Sequence, residues 1–290
     1  MQAMKSVFVS LYMTAAVAIA LIAGRSLWLT HDYLSWAGVL LVTAPFVVVI
    51  GWLMVFRNIA RTTARFPMLV ALGTAGVVLA SWGYVRGGNP EAPLLAIGAW
   101  IGLMLYSYWY SSFNREPSGQ LQIGNTLPNF ELTDVAGQAV GSLSFIDKPT
   151  IWIFYRGNWC PLCMAQIKEL ASQYKELQSE GVRIALVSPQ PHKNTIALAK
   201  RFDLSFDFLT DEDNRAARAL GIDHPRGLPM GIQMLGYNSD TVLPTVIITD
   251  TSGRILWAHE TDNYRIRPEP ELFLAVLREN RIVAAAGRVG

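Results

Sequence analysis

The chain has 290 residues, of which 51% are hydrophobic and only 16% are charged. Because soluble proteins carry about 25% charged residues, this composition excludes a wholly soluble protein. The net charge of +2 excludes nucleic-acid binding driven by bulk charge. The two cysteines lie three positions apart, which excludes a scaffold stapled by several disulfides.

The charge is distributed unevenly along the chain. Residues 1–112 carry eight charged side chains and six of the nine tryptophans. The remaining 178 residues carry 18 basic and 20 acidic side chains, which is an ordinary soluble balance. The sequence therefore predicts an N-terminal membrane domain over 1–112 and a soluble half after it.

Four apolar runs without formal charges mark the predicted membrane domain, at residues 7–24, 37–56, 67–85 and 92–112. Each is close to the 20 or so residues that an α-helix needs to cross a bilayer. The first run has features of a signal peptide, but three more runs follow it and favour a span. We interpret this half as a four-span anchor, in which Gly73, Gly76, Gly98 and Gly102 are helix-packing contacts.

Basic residues in the short loops predict the orientation. If all four runs span, one side of the membrane carries Lys5, Arg57, Arg61, Arg65 and Arg115, and the other carries Arg25 and Arg86. The positive-inside rule then places both termini and the soluble half in the cytoplasm. If one run does not span, the soluble half moves to the periplasmic or extracytoplasmic side.

The soluble half alternates between strand and helix patterns after a polar linker at residues 113–120. One helix face carries Cys163, Ile167, Leu170, Tyr174 and Leu177, and Gly181 ends that helix. A tail is expected at 283–290. Strands are predicted at 150–155, 182–188, 245–249 and 254–259, and further helices at 193–202, 212–220 and 270–279. This order predicts an α/β fold with a mixed sheet covered on both faces.

The strongest chemical signal is the sequence Trp159-Cys160-Pro161-Leu162-Cys163, which lies between a strand and a helix. A thiolate at a helix N-terminus meets unsatisfied N–H groups, which lower its pKa. Two cysteines separated by two residues can close a small disulfide, so that one attacks and the other resolves. Arg156 would add positive charge near them.

Three other interpretations of the cysteine pair are open. A zinc site would need further ligands, but there is no second cysteine pair, and His192, His224 and His259 are scattered. A structural disulfide would gain little by closing so small a loop. Two inert buried thiols are the third interpretation. The strand–turn–helix context favours a redox-active pair.

Residues 121–282 resemble the alkyl hydroperoxide reductase C/thiol-specific antioxidant group of peroxiredoxins, which has a thioredoxin-like fold. The resemblance rests on the opening segment Ile123–Phe130 with Leu132-Thr133-Asp134 and Gly137, on Phe154-Tyr155-Arg156-Gly157 before the cysteines, and on Val187-Ser188. It implies an antioxidant thiol oxidoreductase that takes electrons from a thioredoxin- or glutathione-type donor. The acceptor would be a hydroperoxide or a protein disulfide, and no bound cofactor is implied.

The chain departs from that group in two places. In that group a proline lies two positions before the peroxidatic cysteine, and a threonine or serine lies three positions before it. Pro161 fits the proline, which makes Cys163 the match, but Cys160 stands where the group has the hydroxyl. The arginine expected before the late strand is replaced by Leu243-Pro244. The cysteine motif and Leu243-Pro244-Thr245 resemble thioredoxins instead, in which the proline is cis and the exposed first cysteine, here Cys160, attacks. The two resemblances disagree about the attacking cysteine.

Other residues have two interpretations each. Trp159 is either a flank for a redox partner or a half-buried aromatic. Arg265 and Arg267 either meet the rim of the site or lie in a solvated loop, and we favour the loop. Residues 222–242 form a lid, a partner-binding insertion or an ordinary loop. The leading prediction is a membrane-anchored, peroxiredoxin-like oxidoreductase, and the alternatives are a disulfide reductase without peroxidase activity and a redox-sensing module.

Overall fold

A computed structural model describes residues 1–202 and 204–283, except for the side chains of 174–176. The chain divides into two compact units. The first comprises Met1, Ala3–Arg57 and Thr62–Ser112. The second comprises the chain from Phe113 onward, together with Gln2 and Asn58–Arg61. Most of the tail expected at 283–290 lies outside the described residues.

The first unit consists of four helices that contain the predicted apolar runs. They are α1 (Gln2–Thr30), α2 (Tyr33–Phe56), α3 (Pro67–Val85) and α4 (Glu91–Met104), the last continued by a π-helical turn at Leu105–Tyr110. All four, with α4 counted through that turn, are long and apolar enough to cross a membrane. The helices extend beyond the runs, so that Lys5 lies within α1.

Small residues allow these helices to approach closely. A side chain at Gly76 would lie 2.6 Å from the carbonyl oxygen of Gly38, so α2 and α3 meet backbone to backbone. Gly73 packs against Trp100, and Gly102 packs against Tyr12. The prediction was wrong for Gly98, which has no neighbour within 4 Å of a would-be Cβ. The periodicity of small residues does not reveal which face of a helix meets a neighbour.

The second unit is an α/β domain. Its strands are β1 (Glu131–Thr133), β2 (Ala139–Gly141), β3 (Thr150–Phe154), β4 (Arg183–Ser188), β5 (Asp207–Thr210), β6 (Asp223–His224), β7 (Thr241–Val242), β8 (Thr245–Thr249) and β9 (Ile255–Glu260). Its helices are α5 (Pro161–Ser172), α6 (Tyr174–Ser179), α7 (His192–Phe202), α8 (Arg215–Ala219) and α9 (Pro270–Glu279).

Seven strands form a sheet in the order β2-β1-β5-β4-β3-β8-β9, and β6 pairs with β7 separately. The central strands β3, β4 and β5 are parallel, whereas β8 and β9 are antiparallel neighbours. Every residue of β3 and β8 is buried, which means that both faces of the sheet centre are covered. The predicted mixed sheet is therefore confirmed.

Three local predictions differ from the structure. The helix predicted from Cys163 to Gly181 is two helices, because α5 ends at Ser172 and α6 begins at Tyr174. Strands β1 and β2 were missed because three residues are too short to show a period. The expected linker at 113–120 is packed rather than free: Arg115 pairs with Glu260 at 2.6 Å, and the side chains are 3% and 13% exposed.

Candidate active site

The cysteine pair lies where β3 passes through a short segment into α5. Cys160 is the N-cap of α5, and the backbone N–H of Cys163 donates to its Sγ at 3.4 Å. Pro161 occupies the first helical position, where the absence of its N–H leaves no helical hydrogen bond unmade. The local sequence thus places both sulfurs at the helix N-terminus, as predicted.

The two sulfur atoms lie 2.6 Å apart, and both cysteines are free. Cys160 is 2% exposed and Cys163 is fully buried. The thioredoxin resemblance predicted an exposed Cys160, and that prediction was wrong because the segments around the helix N-terminus cover it. Such close sulfurs can form a disulfide with little movement.

Arg267 supplies a guanidinium to the pair from far along the chain. Its Nη2 donates to Cys163 Sγ at 3.6 Å, and the residue is 6% exposed. Arg265 is fully buried, with its guanidinium 5.5 Å from the ring centre of Tyr264. The favoured interpretation of a solvated loop was therefore wrong for both arginines. Arg267 thus supplies to the Cys163 sulfur a guanidinium of the kind that is absent at Leu243-Pro244, where the resemblance had predicted an arginine.

Arg156 is the second buried guanidinium beside the cysteines, and it is 5% exposed. It lies 4.7 Å from the ring centre of Trp159 and donates to the Gly227 carbonyl at 2.6 Å. Within the described ranges, neither Arg156 nor Arg267 pairs with a carboxylate. Since an uncompensated buried charge is unfavourable, this environment favours an anion on a neighbouring sulfur.

The two thiols therefore differ in acidity. Burial raises the pKa of Cys163, but the hydrogen bond from Cys160, the Arg267 guanidinium and the Arg156 backbone N–H together lower it to about 6. Burial and the same sulfur–sulfur contact raise the pKa of Cys160 well above the ordinary value for a thiol. The pKa of Cys163 is therefore the lower of the two, which favours the thiolate on Cys163 and the proton on Cys160.

Trp159 is half-buried, and its ring lies against Arg156. This contact fits the interpretation as a half-buried aromatic and leaves a role in partner binding as a prediction. Pro244 is also buried, and it directly precedes β8, where Thr245 pairs with Phe154 of β3. The predicted cis bond was wrong, since no peptide bond in the described ranges is cis. The Leu243-Pro244 pattern does not by itself dictate the isomer.

A buried polar network that the sequence did not reveal joins β3 to α7. The amide of Gln190 donates to the Tyr155 hydroxyl at 3.1 Å and to Thr195 at 3.2 Å. Its carbonyl oxygen accepts the Asn158 N–H at 2.8 Å. Burial and the Cys163 charge raise the pKa of Tyr155, so its hydroxyl stays protonated. The available signal was position, because Tyr155 and Gln190 follow the carboxyl ends of parallel strands, where sites form.

The three histidines of this unit are not gathered at one place. His192 contacts Thr210 at 3.0 Å, His224 packs on Phe113, and His259 lies in β9. Over the ranges 1–202 and 204–283, no cluster of three or more His, Cys, Asp or Glu side chains could hold a metal ion. The geometry thus supports chemistry at sulfur.

Comparisons with known proteins find similarity in the second unit. Residues 123–258 match the sequence model of the AhpC/TSA family. A putative chloroplastic peroxiredoxin Q of Oryza sativa subsp. indica is 28% identical over 109 residues, which are 38% of this chain and 50% of that protein. The thiol-disulfide oxidoreductase ResA of Geobacillus thermodenitrificans is 24% identical over 163 residues, which are 56% of this chain and 80% of that protein.

The chain spans about half the length of the peroxiredoxin Q sequences that it matches. Among solved structures, peroxidoxin BcpB from Mycobacterium tuberculosis is similar with a TM-score of 0.46 and 20% identity. That similarity covers 55% of this chain and 97% of the other.

Proposed function

Residues 123–258 form a peroxiredoxin-like domain of thioredoxin-like fold, and from this premise we propose that the chain is a membrane-anchored thiol peroxidase in which Cys163 attacks and Cys160 resolves. The observation that carries the proposal is the Arg267 guanidinium 3.6 Å from Cys163 Sγ. The thiolate is the nucleophilic form of cysteine, and a fixed cation beside it stabilises that form.

The cycle balances with the residues of the site. The Cys163 thiolate attacks the terminal oxygen of a hydroperoxide, the O–O bond breaks, and the alkoxide leaves with one proton from solvent as an alcohol. Cys163 is now a sulfenic acid. The Cys160 thiol attacks that sulfur, an S–S bond forms, and water leaves. A donor dithiol then reduces the disulfide with two electrons and two protons and becomes a disulfide itself.

Arg267 and Arg156 have a second role in this cycle. As the O–O bond breaks, negative charge develops on the departing oxygen next to the sulfur. Fixed donors that face developing charge lower the barrier to reaction. The two guanidiniums stand in the same buried region as Cys163, and they offset the absence of the hydroxyl that Cys160 replaces.

A specific observation also favours a second function. Cys160 caps α5 and accepts the Cys163 N–H, which is an environment that can favour a thiolate on the first cysteine. In that case the protein would be a disulfide reductase. Turnover separates the two functions: full-length protein in detergent is supplied with NADPH, thioredoxin reductase, thioredoxin and either tert-butyl hydroperoxide or an oxidised protein.

Peroxide-dependent NADPH oxidation that disappears in Cys163→Ser supports the peroxidase. NADPH oxidation that occurs with the oxidised protein but not with the hydroperoxide, and that is lost in Cys160→Ser, would establish the disulfide reductase instead. Stoichiometric oxidation without turnover with either acceptor would indicate a redox-sensing module.

The anchor and its orientation are part of the proposal. Four helices of suitable length and apolarity support a membrane anchor, and the basic loops support a cytoplasmic second unit. Single cysteines at His31 and Arg61, in a Cys160→Ser/Cys163→Ser background, test this with an impermeant thiol reagent on intact cells. Labelling at 31 but not at 61 is expected, and labelling at 61 would overturn the cytoplasmic placement.

A further inference from the structure

The segment between β6 and β7 is attached to residues 156–158, which lie just before the cysteine pair. The two strands pair antiparallel, Asp223 with Val242 and His224 with Thr241, and close a 16-residue loop at 225–240. We call this segment the 225–240 loop. Since both sulfurs are buried, any reaction partner has to reach them through surrounding chain.

The loop and its base contact residues 156–158, just before Cys160, which we call the approach segment. At one end, Arg156 Nη2 donates to the Gly227 carbonyl at 2.6 Å. At the base, the Thr241 hydroxyl donates to the Arg156 carbonyl at 3.2 Å. Near the other end, the Tyr237 hydroxyl donates to Asn158 Oδ1. The loop is thus fastened at both ends to residues 156–158.

Tyr237 joins three segments at once. Its hydroxyl also accepts from Asn194 Nδ2 of α7 at 2.9 Å. Its ring approaches Gly157, where an added Cβ would lie 3.6 Å from Tyr237 and 2.8 Å from the Trp159 ring. Gly157 has a φ of +139°, which favours glycine. A single hydroxyl therefore connects the loop, the approach segment and the start of α7.

We propose that Tyr237 is a specificity-determining residue, whose hydroxyl holds the 225–240 loop against residues 156–158, directly before the cysteine pair, and thereby restricts protein thiol donors more than small thiols and small hydroperoxides. This inference rests on the proposed dithiol/disulfide cycle. The β6–β7 pairing and the Arg156–Gly227 contact stay in place, and the Tyr237 contacts are the part that opens.

The physical reason is size. A small thiol needs only a narrow path to a buried disulfide, whereas a protein thiol must bring its own chain to within bonding distance, about 2 Å between sulfurs. In each case a donor thiolate attacks one sulfur, the Cys160–Cys163 bond breaks, and a mixed disulfide forms. The second donor thiol then releases both cysteines as thiols and leaves the donor oxidised.

The test uses full-length protein in detergent, oxidised beforehand with diamide and reduced either by thioredoxin or by dithiothreitol. Tyr237→Phe removes both hydrogen bonds of the hydroxyl, and the ratio of the thioredoxin rate to the dithiothreitol rate is expected to rise at least about fivefold, the factor by which losing one net hydrogen bond shifts an opening equilibrium. Asn194→Ala removes only one of the two bonds and keeps the bond to Asn158, so a smaller rise is expected. The double variant should not exceed Tyr237→Phe by much, because the hydroxyl that Asn194 contacts is already absent.

Met234→Gln is the matched control, since Met234 lies in the same loop and is 91% exposed. Its ratio is expected to stay within twofold of the unmodified protein. Faster hydrogen exchange over 228–238 in Tyr237→Phe supports loop opening without reference to activity. An unchanged or lowered ratio in Tyr237→Phe, or an equal rise with both reductants, would overturn the proposal. If the unmodified protein shows no peroxidase activity, only the proposed function is overturned, because diamide forms the disulfide independently of peroxide.

Discussion

Arg267 and Cys163 are 104 positions apart in the chain, and a guanidinium nitrogen of Arg267 lies 3.6 Å from the Cys163 sulfur. The contact joins the segment before α9 to the first turn of α5. It places a buried cation beside the second cysteine of the pair, whereas the helix N-terminus offers its N–H to the first. The competition between these two influences decides which sulfur carries the charge.

Replacing Arg267 is expected to raise the pKa of Cys163. In Arg267→Leu the sulfur loses its nearest cation but keeps its burial, so the thiolate becomes less stable. At pH 6.5 the rate of alkylation of Cys163 by iodoacetamide should fall more than tenfold if the pKa moves toward the ordinary value of about 8.5. Arg254→Leu, an exposed arginine of the same unit, is the control. Equal alkylation rates in Arg267→Leu and Arg254→Leu would show that Arg267 does not lower the pKa of Cys163.

The reaction with hydrogen peroxide should depend on pH through the same group. Because the pKa of Cys163 is lowered to about 6, its thiolate is populated above that pH and disappears as the pH falls through it. The rate in the unmodified reduced protein should therefore rise between pH 5 and 7 and level off above, where a free thiol still gains reactivity up to about pH 9. A midpoint near that of a free thiol would contradict the assigned thiolate.

Gly157→Ala tests the packing of the approach segment. The new Cβ would lie 2.8 Å from the Trp159 ring, and the backbone φ of +139° disfavours a side chain. We expect a loss of about 1–3 kcal/mol in the free energy of unfolding of the second unit. Gly137→Ala separates strain from crowding, since Gly137 has a φ of +82° and no atom within 4 Å of the added Cβ. Calorimetry of the full chain should show a smaller loss in the free energy of unfolding for Gly137→Ala than for Gly157→Ala.

The Arg115–Glu260 pair tests whether the segment at 113–120 belongs to the second unit. Glu260→Gln leaves the buried Arg115 charge unpaired and is expected to lower the free energy of unfolding by about 3 kcal/mol. The exposed pair of Glu212 and Arg215, with side chains 52% and 53% exposed, provides the comparison. Glu212→Gln should change stability by less than about 1 kcal/mol. Similar small losses in both variants would show that the segment is only loosely attached.

The parts of the fold that the sequence predicted are those with strong local patterns. Strands β3, β4 and β8 are continuous apolar runs because they are buried on both faces. The four long apolar helices are also local signals. Strands β1 and β2 have only three residues each, and their pairing depends on tertiary contacts that no short window contains.

The sequence predicted which sulfur atoms form the site, but it did not predict which charged groups surround them. The Cys-x-x-Cys spacing between a strand and a helix identified the reacting atoms. The guanidinium of Arg267 arrives from a segment that resembles an exposed loop, because charged residues near Pro268 and Pro270 give no local sign of burial. Tyr237 was equally hidden, since its contacts with Asn158 and Asn194 exist only after the loop has folded back.

The identity of the attacking cysteine is the most direct test. Full-length Cys160→Ser and Cys163→Ser, reduced and in detergent, are mixed rapidly with hydrogen peroxide, and the loss of thiol is followed over time. Fast loss in Cys160→Ser, together with loss no faster than that of a free thiol in Cys163→Ser, is the predicted result. Fast loss in Cys163→Ser with a slow reaction in Cys160→Ser would contradict the account and assign the attack to Cys160.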